Sequence, residues 1–148
     1  MDIYEEAVLG YITYDRRTFA IPQFSIPEEP CTNHDWSCPD FVAICPPEKK
    51  CYIVEVSAAS RLTGLLEKVK NKDDQWIDKL KDPLIKTNVI SADWTFEIKL
   101  FVRDELIDDC NKWLNEHVQD RANITVEGLE ITFTPWKWNW DNRNQKQP

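Results

Sequence analysis

The 148-residue sequence holds only 3 glycines, and no apolar run approaches the roughly 18–20 residues that cross a bilayer. A glycine-poor chain that is 42% hydrophobic and 11% aromatic has the bulk to build a core, which excludes a disordered tail. The N-terminus, Met1-Asp2-Ile3-Tyr4-Glu5-Glu6, lacks the basic n-region of an export signal. Positive charge is short as well. Against 18 Lys and Arg stand 26 Asp and Glu, a net charge of −8, which excludes a protein that coats nucleic acid by bulk electrostatics. The expectation is a cytoplasmic, intracellular protein of one domain with no membrane contact.

Five cysteines in a chain without an export signal read as reduced thiols. Cys31, Cys38, Cys45 and Cys51 recur near His34, but the intervals lack the tight C-x2-C knuckle of a zinc site, which favours small buried thiols. The acidity is uneven: residues 1–60 carry 4 basic and 10 acidic side chains, and residues 121–148 carry 4 and 3. A multivalent cation tolerates the sign of the first segment.

Asp2 to Gly10 favours a short helix with Ile3, Ala7 and Val8 inward and Glu5 and Glu6 on or beside its polar face. Tyr11 to Ile26 suggests one strand or a hairpin, and Pro27 to Pro39 a loop. Asp40–Ile44 and Cys51–Ser57 flank a proline turn and read as a β-hairpin. The second strand is apolar on both faces and therefore central, which leaves Glu55 out of place.

From Ser60, Leu62, Leu65, Leu66, Val69, Trp76, Ile77 and Leu80 follow helical spacing toward Pro83, with a break near Asn71–Asp74. A helical projection puts Arg61, Lys68, Lys72 and Lys79 in one band, either a solvated flank or a functional basic one. Trp94–Arg103 alternates as a strand, Asp104 can cap a helix carrying Cys110 and Leu114 inward, and Gly128 precedes a final strand through Leu129, Ile131 and Phe133. The fold class is α/β: an α-β-β-β-α-β core with a mixed central sheet flanked by helices, plus an extra helix and a C-terminal strand.

The chemistry-bearing pair is Asp40 and Glu55, one on each of two paired strands. A carboxylate between Val54 and Val56 costs several kcal/mol if ionised and unpaired, so it needs a cation or a hydrogen-bond partner. Mg²⁺ or Mn²⁺ would meet that need for both acids, with the Val56 carbonyl as a third ligand.

Pro39-Asp40 followed on the next strand by Glu55-Val56-Ser57 resembles the PD-(D/E)xK nuclease superfamily, although Ser57 stands where that signature has lysine. The resemblance, over about residues 2–103, implies a metal-dependent nuclease hydrolysing DNA or RNA. Relatives without the strand lysine take a basic residue from the following helix, which by resemblance assigns Lys68, with Arg61 and Lys72 as substitutes. A first-helix acid that assists the metal would be Glu5 or Glu6, and His34 could imitate a metal-binding histidine. Loss of the lysine equally allows an inactive nuclease-fold module acting as an adaptor for protein or nucleic acid. In either case residues 1–135 form the domain, and its small surface favours a homodimer or a larger complex.

Residues 136–148 form a tryptophan-rich tail. If extended, it places Trp136, Trp138 and Trp140 on one side, either as a stacking platform for unpaired bases or as a cover for the core or a dimer partner.

Overall fold

The computed structural model describes residues 1–24, 38–72 and 76–138. Five strands form one mixed sheet in chain order: β1 (Phe19–Pro22), β2 (Phe41–Cys45), β3 (Lys50–Ser57), β4 (Thr95–Val102) and β5 (Ile124–Gly128). The β1–β2 and β2–β3 pairs are antiparallel, and β3–β4 and β4–β5 are parallel. Helices α1 (Ile3–Thr13), α2 (Thr63–Lys70), α3 (Asp78–Lys86) and α4 (Ile107–His117) flank the sheet. The expected α/β architecture and element order are present, with the long middle helix split into α2 and α3.

The sheet sorts its side chains by alternation. Cys51 and Ile53 of β3 face a core built with Leu65, Leu66 and Val69 of α2, Leu80 of α3 and Leu114 of α4. Tyr52 and Val54 face a second, smaller core under Val8 of α1. Burial on both faces makes β3 the central strand, as its composition predicts.

Helix α1 starts on a capping box: Asp2 accepts from the Glu5 backbone N–H at 2.8 Å, and the Glu5 carboxylate accepts from the Asp2 N–H at 2.8 Å. It buries Val8, whereas Ile3, expected inward, is 64% exposed. At the far end the helix absorbs Tyr11–Thr13, so among the described residues the strand or hairpin expected over Tyr11–Ile26 keeps only β1, and residues 25–26 lie outside them. Periodicity hides this boundary because Tyr11 and Ile12 pack equally well from a helix.

Two further expectations fail. Asp104 does not cap α4; its carboxylate instead accepts from the Glu130 N–H at 3.3 Å. The final strand is Ile124–Gly128, and Glu130–Phe133 is a 3₁₀ turn. The strand ends at Gly128, where only glycine fits because a Cβ would lie 1.9 Å from Asp104 Oδ1. The Thr132 and Thr134 hydroxyls then bond back to carbonyls three and four residues earlier, a local alternative to a ladder.

Among the described residues no helix is long and apolar enough to cross a membrane. Cys45, Cys51 and Cys110 are buried free thiols, and Cys38 is partly buried with its Sγ donating to the Phe24 carbonyl at 3.5 Å. Cys31 and His34 lie outside the described residues, as do residues 27–37 of the expected loop.

Candidate metal and phosphodiester site

Asp40 stands immediately before β2, and the Phe41–Val54 register sets it beside the end of β3. Two hydrogen bonds fix it: its carbonyl accepts from the Gln23 N–H at 2.7 Å, and its Oδ2 accepts from the Val56 N–H at 2.7 Å. The N–H and carbonyl of one strand residue point to the same neighbour, so the Val56 carbonyl also faces the Asp40 side.

Glu55 follows the alternation of Cys51 and Ile53 and points to the side of the sheet that α2 covers. It is 2% exposed. Lys68 of α2 meets it, Nζ to Oε2 at 3.4 Å, while the other oxygen, Oε1, is buried with no hydrogen-bond partner. Lys68 itself remains 32% exposed, so the ammonium links the buried acid to solvent.

The carboxyls perturb one another. Burial, then the Asp40 charge, pushes Glu55 up to about 8, against the pull of Lys68. Burial, reinforced by Glu5, pushes Asp40 up to about 6, against the Val56 N–H and Lys68. Glu5 is near enough for its charge to add to the rise at Asp40. Asp40, Glu55, Lys68 and Glu5 therefore gather at one end of the sheet. Glu6 is exposed.

The rest of the expected basic band disperses. Arg61 is exposed in the loop before α2. Lys72 is 4% exposed and bonded to Asp120 at 2.7 Å, so it is not offered to a phosphate. The projection fails there because the chain leaves α-helical geometry after Lys70, and Trp76 and Ile77 sit in a wider π-type turn.

The tail also departs from expectation. Pro135–Lys137 is a 3₁₀ turn, so Trp136 and Trp138 do not alternate along an extended strand. Trp138 donates from Nε1 to the Ile131 carbonyl at 2.6 Å and packs against Tyr11 and Tyr14 with ring centroids at 5.4 and 5.1 Å. It covers α1, whereas Trp136 is 75% exposed. Trp140 lies outside the described residues.

Among the described residues no set of three or more His, Cys, Asp and Glu side chains forms a cage for a metal ion. The donor set that fits a hard cation is smaller: two converging carboxylates, one with an orphaned buried oxygen, and a backbone carbonyl on the same side. Mg²⁺ keeps several of its waters, so so few protein ligands suit it. No protein-family model, curated protein or solved structure matches this chain.

Proposed function

We propose that this chain is a Mg²⁺- or Mn²⁺-dependent nuclease of the PD-(D/E)xK type, hydrolysing phosphodiester bonds in DNA or RNA. The observation that carries the reading is the orphaned Glu55 Oε1, held beside Asp40 and Lys68 at the end of the central strand. A buried carboxylate oxygen without a partner is costly in a purely structural role and is what a cation ligand requires.

Asp40, Glu55 and the Val56 carbonyl would hold the ion, with Glu5 assisting through Asp40. When bound, it would polarise the phosphodiester and lower the pKa of an attacking water. The chain's own residues do the remainder. The Val56 and Gln23 N–H groups fix Asp40. Lys68 takes the role of the lysine that Ser57 replaces: its ammonium donates to the attacking water or to the phosphate oxygens as their charge develops. Arg61 lies exposed at the approach to α2, where it can steer a phosphate.

The test follows thermal unfolding during a Mn²⁺ titration, because a ligand bound only by the native state raises stability, by about 2.7 kcal/mol at a hundredfold excess over Kd. The expected result is stabilisation in the parent that disappears in both Asp40→Ala and Glu55→Ala, together with metal-dependent cleavage of DNA or RNA. No response at millimolar Mn²⁺ would overturn the reading in favour of the non-catalytic adaptor.

A further inference from the structure

A cleft of about 990 Å³ opens at the same end of the sheet as the paired carboxylates. Its floor is formed where the parallel strands stop: Ala58 follows β3, Arg103 follows β4 and Leu129 follows β5. The carboxyl ends of parallel strands are where α/β sheets usually receive ligands. Two chain neighbours tie it to the candidate site, since Tyr4 precedes Glu5 on α1 and Ala58 lies just beyond Glu55 and Val56.

The walls carry aromatic rings that the core does not use. Tyr4 and Phe133 meet edge to face at 5.7 Å and both are partly exposed; Trp136 is not a wall residue, but it is 75% exposed and directly precedes Lys137, which is one. The charges do not favour phosphate binding alone. Arg103 is engaged by the Ala58 carbonyl at 2.6 Å and by Glu105 at 3.3 Å, and Asp104 and Glu130 also border the cleft beside Lys137. A ligand held here must gain more from ring faces than from cations. Unpaired nucleobases offer that, because every base has a π-face and stacking needs little phosphate neutralisation. A duplex hides those faces.

We infer that this cleft is the subsite for an unpaired nucleic-acid strand, with Tyr4 and Phe133 stacking bases within it, the exposed Trp136 stacking a base just outside it, and Arg103 and Lys137 beside the backbone. The inference rests on the nuclease reading and narrows its substrate to single-stranded DNA or RNA.

The experiment measures fluorescence anisotropy of labelled oligothymidylate, oligouridylate and a blunt hairpin duplex with the full chain in EDTA, so binding is read without any divalent ion. At least one single strand should bind at least about tenfold more tightly than the duplex. Phe133→Ala and Trp136→Ala should each weaken that binding about tenfold. Affinity should not fall with added salt, unlike phosphate-dominated binding. Trp136 is exposed, so its variant should keep the parent's unfolding midpoint and separates lost stacking from lost fold. Absence of binding to either strand, equal binding of the duplex, or parental affinity in both variants overturns the inference. The two readings can fail separately. Cleavage that depends on Asp40 but ignores Phe133 and Trp136 removes only the subsite, and single-strand binding by a chain that never cleaves removes only the nuclease.

Discussion

Glu55 is the residue on which the proposed chemistry turns. The unfolded chain releases its proton near the ordinary value of 4.5, whereas the folded state keeps it to about 8. Across that window the native state binds more protons, so stability falls as pH rises from about 5 to about 8. Thermal unfolding in EDTA should show that slope in the parent and a flatter profile in Glu55→Gln; an unchanged slope would remove Glu55 as its source. Mn²⁺ stabilisation should grow over the same window, because protons and the cation compete for the same oxygens. Lys68 gives the second prediction. On the proposed reaction, Lys68→Ala should lower kcat by ~10²–10³ while Mn²⁺ still stabilises the protein. Cleavage at the parental rate by that variant would reject the lysine's role. Glu55 was legible because an acid between valines on a two-faced apolar strand demands a partner, and Asp40 because it opens the paired strand beside it. Choosing Glu5 over Glu6 was not, since adjacent helical residues differ by 100° and only the docking of α1 selects between them.

At the scale of the elements, short apolar runs on either side of the proline turn made β2 and β3 readable, and two-residue alternation made β4 readable. The segment after α4 was misplaced because Leu129, Ile131 and Phe133 imitate strand alternation, while Gly128 and the threonine hydroxyls favour a turn. The basic band was misread for a related reason: a projection at constant pitch does not survive the irregular turn before α3. Gly128 supplies a prediction here. Gly128→Ala must displace the Asp104 carboxylate and with it the bond to Glu130, so it should destabilise the protein by about 1 kcal/mol, read by urea unfolding. Trp138 supplies another. It ties the 3₁₀ turn to Tyr11 and Tyr14, so Trp138→Ala should cost about 2–3 kcal/mol, below the range for a fully buried tryptophan. A loss within about 0.5 kcal/mol would mean that the tail merely rests on α1.

For the whole molecule the excess of acid governs the encounter with a polyanion. With a net charge of −8, like-charge repulsion slows association at low ionic strength, and salt screens it. On the proposed reaction kcat/KM should therefore rise between about 10 and 100 mM monovalent salt, the reverse of a basic nuclease. A steady decline over that range would show that local cations outweigh the global field. The site also has no local origin. The bond between Asp40 and Val56 spans 16 positions and that between Lys68 and Glu55 spans 13, while Glu5 must arrive on a helix laid across the other side of the sheet. Contacts of that separation form only when the chain closes upon itself. On the proposed reaction, a partly melted copy would keep the side chains and yet be inert, because hydrolytic competence would exist only where these distant contacts are closed.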